Sequence, residues 1–185
     1  AHSPLLGPLT AQLLTGFNAP VPTHKQLLKK AETLLSQGRA VEAKGKLEDA
    51  LLAKPSDLRT LGLLGLASFK SSAYAEALNY YELIATMNPE DPRIWMNIGL
   101  AQLKLGESLL AIQAFEKSRT LDPKEKKALT YLGLAFAKNG QYEKAFLALT
   151  ESGDTNLAAE VKVLVDQKNK RKPRPTPPPP PQPSE

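Results

Sequence analysis

Residues 92–125 carry Trp95, Ile98-Gly99, Ala111, Phe115 and Pro123 at fixed offsets, and the pattern returns when the stretch is shifted by 34 residues in either direction. Glycines fall at Gly65, Gly99 and Gly133, alanines at Ala43, Ala77, Ala111 and Ala145, and prolines at Pro55, Pro89 and Pro123. A fixed period of this length, with helical spacing inside it, demands a stack of helix pairs in which each pair buries its apolar face against the next. Few other folds satisfy that constraint. Helix pairs are expected at about 24–36 and 40–53, 57–70 and 73–87, 91–104 and 107–120, and 124–138 and 141–151.

Local signals agree with these boundaries. Gly38, Gly106 and Gly140 stand at the tight turn inside three repeats, where a left-handed residue ends the first helix. Pro55, Pro89 and Pro123 lie between repeats, where a missing N–H breaks no ladder. Asp57, Asp91 and Asp122 stand where they could cap the helices that follow. Gly65, Gly99 and Gly133 fall in mid-helix at a cost of about 1 kcal/mol against Ala. A cost repeated in register implies a partner helix too close for a side chain. Leu157, Val161, Leu164 and Val165 form one stripe over 155–168, as a terminal capping helix would.

The pattern resembles the tetratricopeptide repeat (TPR), whose consensus places a large apolar residue, Leu-Gly, Ala, an aromatic and Pro at these offsets. The likeness covers roughly 24–159. It implies an all-α fold: a right-handed superhelical solenoid of four helix-turn-helix repeats (24–57, 58–91, 92–125 and 126–154) with a capping helix at 155–168. The end copies deviate. The first has Ala31 where Gly is usual, and the fourth has Leu157 where Pro is expected.

Composition excludes several classes. With no Cys there are no disulfides, thiolate metal sites or cysteine nucleophiles. His2 and His24 are the only histidines, and no metal, nucleophile or phosphate-loop motif occurs. Gly62 and Gly65 lie inside a helical pattern rather than after a strand. No enzyme, cofactor or metal is expected. No apolar run approaches the ~20 residues of a membrane span. The net charge of +5 gathers at one end: five basic residues against Glu185 follow position 167, leaving 19 basic and 18 acidic residues before it. That distribution gives no sign of nucleic-acid binding by the folded part, and the basic tail lacks the interleaved aromatics of a nucleic-acid binder.

The ends differ from the middle. Residues 1–23 hold four prolines and no charged side chain, so they read as an irregular apolar leader, with a helical turn or two at Leu9–Leu14. The chain begins at Ala1 rather than Met, as a processed chain would. Compartment stays open, with cytoplasm the simplest reading and bacterial periplasm the one implied by a removed signal or anchor. Eight prolines in the last thirteen residues make 169–185 a basic, Pro-rich tail of polyproline II character. Lys172–Pro178 and Arg174–Pro180 each fit a basic-x-x-Pro-x-x-Pro ligand of SH3 folds, and a spacer is the plainer reading.

The TPR resemblance implies a concave groove lined by repeat positions 2, 5, 9, 12 and 13 of each first helix. Carried over, these are Lys25, Leu28, Glu32, Leu35 and Ser36; Arg59, Gly62, Leu66, Phe69 and Lys70; Arg93, Met96, Leu100, Leu103 and Lys104; and Lys127, Thr130, Leu134, Ala137 and Lys138. Position 2 is always basic, and position 13 is Lys in three copies. Between these ladders runs an expected apolar floor, with Asn97 beside it. Such a surface suits another protein's extended or helical segment with apolar anchors and acidic flanks. The expected function is therefore a non-catalytic scaffold or adaptor. The clamp of chaperone-tail-binding TPRs is not matched, since its positions read Leu28, Glu32, Leu63, Arg93 and Asn97, of which only Arg93 fits. In plan the chain is also similar to class II chaperones of type III secretion translocators, and an assembly factor for a pilus or secretion system in the bacterial envelope is a further alternative. Oligomeric state is not legible.

Overall fold

A computed structural model describes residues 20–171, and all regular structure among them is helical. The helices are α1 (His24–Ser36), α2 (Ala40–Ala53), α3 (Leu58–Lys70), α4 (Tyr74–Met87), α5 (Pro92–Leu105), α6 (Ser108–Leu121), α7 (Lys126–Lys138), α8 (Tyr142–Ser152) and α9 (Thr155–Arg171). Their bounds fall within one or two residues of those expected from the period, except at the end of α9. No described helix is long and apolar enough to cross a membrane. The expectations for 1–19 and for the SH3-type motifs from Lys172 onward lie outside the described residues.

Packing divides the described residues into two compact units, one ending at Ser72 and the other beginning at Ala73, with the division inside the second expected repeat. In the first unit α1, α2 and α3 pack on one another. Thr23 opens α1 with a capping box: its Oγ1 accepts from the Gln26 N–H at 3.3 Å, and Gln26 Oε1 accepts from the Thr23 N–H at 2.8 Å. Asp57 opens α3, accepting from the Thr60 N–H (2.9 Å) and the Thr60 hydroxyl (2.5 Å). The same carboxylate stands 3.4 Å from His24 Nε2, while His24 Nδ1 lies 3.1 Å from the Ala50 carbonyl. One side chain thus ties the start of α1 to the end of α2 and the start of α3. Leu27, Leu34, Leu47, Leu61 and Leu64 fill the core between them.

In the second unit each helix packs on the next, from α4 through α9, and α5 also meets α7. The core runs through Leu103, Ile112, Phe115, Leu132, Phe136, Leu149 and Val161, with alanines at the crossings. At Gly99 and Gly133 the mid-helix glycine has the expected cause. A Cβ on Gly99 would lie 2.6 Å from Phe115 Cε1, and one on Gly133 2.6 Å from Leu149 Cγ. At Gly106 and Gly140 the backbone is left-handed (φ 85° and 73°), and the Glu107 and Gln141 N–H groups reach back to the Gln102 and Phe136 carbonyls at 2.9 Å. This Schellman closure ends α5 and α7 and launches the next helix without a side-chain cap.

Two expectations need correction. Asp122 does not cap α7. It ends α6 and accepts from the Lys124 N–H, and Glu125 takes the capping role, accepting from the Lys127 N–H at 2.9 Å. The repeat spacing pointed to Asp122, but Pro123-Lys124 still forms the turn, so the helix starts later. The capping helix runs to Arg171 rather than stopping at 168. Lys168, Lys170 and Arg171 favour its C-terminal end through the helix dipole. Lys168 also pairs with Glu143 at 3.1 Å and lies over the Tyr142 ring.

Candidate functional site

The residues expected to line a binding surface sit on α1 and α3 in one unit and on α5 and α7 in the other. In the first unit Lys25, Arg59 and Lys70 are exposed, Leu66 is 37% exposed and Phe69 is half-buried. Leu28 and Leu35 are corrections. They are 7% and 6% exposed and belong to the core, because α1 turns that side toward its neighbours. Arg59 is not a free cation either, since its Nη2 meets Glu32 Oε1 at 2.5 Å, joining α3 to α1.

In the second unit Met96, Leu100, Leu134 and Ala137 are partly buried and pack with Tyr131 against the core, so one edge of each meets solvent. Tyr131 stacks on Phe115 with centroids 5.7 Å apart. Asn97 is half-buried beside Met96. Leu103 is 9% exposed and is core rather than floor. Lys104 and Lys138 occupy the last turns of α5 and α7, Lys104 exposed and Lys138 at the helix end, and Lys127 stands exposed in the first turn of α7. Among the described residues none of these three lysines has an ion pair.

Arg93 behaves differently from those lysines. Its guanidinium makes two contacts with Asp91, Nε to Oδ1 at 3.0 Å and Nη2 to Oδ2 at 2.8 Å, and its N–H also donates to Oδ1. The Arg93 hydrogen bonds hold the Asp91 carboxyl below the usual carboxylate range against partial burial, and the guanidinium is pushed up in return. The basic ladder at position 2 is therefore half structural: Arg59 and Arg93 are spent on Glu32 and Asp91, while Lys25 and Lys127 have no ion pair among the described residues. At position 13 Lys70, Lys104 and Lys138 have no ion pair among the described residues. Among the described residues no group of three His, Cys, Asp or Glu side chains could hold a metal.

A further feature escaped the repeat pattern. The face of α5 opposite Met96 and Leu100 carries Trp95, Ile98 and Gln102, which line a cleft of about 580 Å³ with residues of α4 and α6. Its signal in the sequence was a glutamine at an apolar register position.

A family model described as tetratricopeptide repeat matches residues 28–92, 74–126 and 96–154. Among solved structures, MamA residues 41 to the end from Desulfovibrio magneticus RS-1 is similar with a TM-score of 0.68 at 23% identity, covering 71% of this chain and 74% of that one. A MamA RS-1 double mutant gives 0.72 at 21%, covering 82% and 90%. TTC0263, a thermophilic TPR protein in Thermus thermophilus, gives 0.65 at 18%, covering 80% and 86%. At these identities the likeness is one of fold. No curated protein matches the chain. With the repeat matched from residue 28 to residue 154, the chain belongs to the tetratricopeptide repeat family.

Proposed function

We propose that the protein is a non-catalytic scaffold whose first helices take a partner segment with apolar anchors and acidic flanks. Tetratricopeptide folds are in general interaction scaffolds. The observation that carries the finer reading is the juxtaposition on α5 and α7 of half-exposed Met96, Leu100 and Leu134 with Lys104 and Lys138, which have no ion pair among the described residues. An apolar strip that stays partly wet loses water on docking, and two fixed cations beside it select negative charge and speed encounter. The corresponding residues of the first unit are Lys25, Leu66, Phe69 and Lys70, with Arg59 held by Glu32.

The test is a titration of the full chain with a labelled peptide of alternating leucines and glutamates, followed by anisotropy. Binding should weaken as salt rises and be lost in Lys104→Glu/Lys138→Glu. Neither residue belongs to the core, so the variant keeps its helices. Equal binding by that variant, or equal binding of a peptide with lysine in place of glutamate, would sink the proposal.

A further inference from the structure

The cleft on the other side of α5 combines three features that a packing surface does not need. Its walls are apolar: Ala85, Pro89, Trp95, Ile98, Leu110 and Ala114. Trp95 presents only its ring, because its indole N–H already donates to the Pro89 carbonyl at 2.7 Å. At the buried side lies Gln102, 8% exposed, whose Oε1 has no hydrogen-bond partner among the described residues. A buried amide oxygen without a donor is a standing cost, and such a group calls for an explanation. At the rim stands Glu82, exposed and, among the described residues, without an ion pair or hydrogen bond.

We infer that this cleft is a second docking site, for a partner segment that inserts a tyrosine side chain with a lysine or arginine beside it. The volume lies within the range of sites that enclose a ligand group. An anchor here must be flat and apolar along its length to lie against Trp95, Ile98 and Leu110. It must also carry a donor at its deep end, because the unmet acceptor is deep while the polar rim is shallow. A phenol has that order of parts: apolar ring, then O–H at the tip. The terminal amide of Gln102 turns over a broad torsional well, so it can meet the incoming hydroxyl at little cost. A basic neighbour on the segment then finds Glu82. Phenylalanine would fill the cleft but leave Gln102 unmet, and an acidic flank would face Glu82. The site is thus opposite in charge preference to the Lys104–Lys138 face, and one chain can hold two different partners, or two parts of one, on the two sides of α5.

Trp95 is the only tryptophan and lines the cleft, so its fluorescence reports occupancy directly. The full chain would be titrated with three 12-residue alanine-based peptides: one with a central tyrosine and flanking lysines, one with phenylalanine for tyrosine, and one with glutamates for lysines. Excitation at the red edge excludes the peptide's own tyrosine. The tyrosine–lysine peptide should perturb Trp95 saturably. The phenylalanine version should bind about 5-fold more weakly, the share of one hydrogen bond, and the glutamate version should not bind. Gln102→Leu should erase the preference for tyrosine over phenylalanine while leaving apolar binding. Leu110→Asp, at a residue 47% exposed and therefore safe for folding, should weaken binding at least about 10-fold. No response of Trp95 at millimolar peptide would overturn the assignment. So would equal affinity for the tyrosine and phenylalanine peptides, or unchanged binding in Leu110→Asp.

Discussion

The glycines inside the helices allow a substitution experiment in which one chemical change has opposite signs at two positions. Gly45 lies inside α2 with nothing within 4 Å of an added Cβ, so Gly45→Ala should stabilise by about 1 kcal/mol through helix propensity alone. Gly99 also lies inside a helix and carries the same propensity gain. There the added Cβ would stand 2.6, 2.8 and 2.9 Å from Cε1, Cδ1 and Cζ of Phe115, against the 3.4 Å at which ordinary contact begins. The ring would have to retreat by roughly 1 Å. It is 0% exposed and stacked on Tyr131, so it has nowhere to retreat without moving its neighbours. Overpacking of this kind costs about 1–3 kcal/mol. Net of propensity, Gly99→Ala should therefore destabilise by up to about 2 kcal/mol, with the gap to Gly45→Ala at about 1–3 kcal/mol. Urea unfolding followed by far-UV circular dichroism and by Trp95 fluorescence reads both, and the second probe reports the unit that holds Gly99. Combining Gly99→Ala with Phe115→Leu should recover about 1 kcal/mol relative to the sum of the single changes, because the contact is shared. Stabilisation by Gly99→Ala equal to that of Gly45→Ala would refute the close-approach account.

Other expectations follow from the caps and the buried ring. Asp57→Ala should cost about 1–2 kcal/mol, since it removes the cap of α3 and leaves Thr60 and His24 without their partner. Thr60, through its hydroxyl and N–H, and then His24 hold the Asp57 carboxyl below its ordinary range, and Arg93 does so for Asp91. Both acids therefore add stability that is complete above the unfolded value near ~3.9 and is lost as pH falls through the lower folded values. Thermal melts between neutral and acid pH should show Asp57→Ala losing less than wild type on acidification. Tyr81 is 3% exposed, and burial pushes its phenol up to about 12. Its neutral form is favoured by folding, so this share of stability is present below the ordinary value near ~10 and disappears as pH rises through the folded one. Ultraviolet titration should find one tyrosine of the five ionising after the rest, and the delay should vanish in urea.

The helix ends were legible because two chemistries repeat with the period: a left-handed glycine that ends three of the four first helices, at Gly38, Gly106 and Gly140 (Ser72 takes that conformation after α3), and carboxylates that open α3 and α5. Asp122 misled for a physical reason. A carboxylate before Pro123 has the composition of a cap, but the turn through Lys124 postpones the first helical N–H, and Glu125 lies nearer to it. Repeat register also said which residues face one way, but not how deep they lie. Met96 and Leu100 keep an edge in water, whereas Leu28 at the corresponding position of α1 is packed away. Pairing was invisible for the same reason. Nothing in the register distinguishes Arg59 and Arg93, held by Glu32 and Asp91, from Lys25 and Lys127 at the same repeat position, which form no ion pair among the described residues. The cleft beside Trp95 requires three helices at once, and no single window of sequence contains it.

The most direct test of the scaffold reading compares what the full chain and its Lys104→Glu/Lys138→Glu variant retain from a lysate of the native host, with circular dichroism establishing that both are folded. A protein that carries an acidic, leucine-containing segment should be retained by the full chain and lost with the variant. Retention of the same protein by the folded variant at equal yield would contradict that reading.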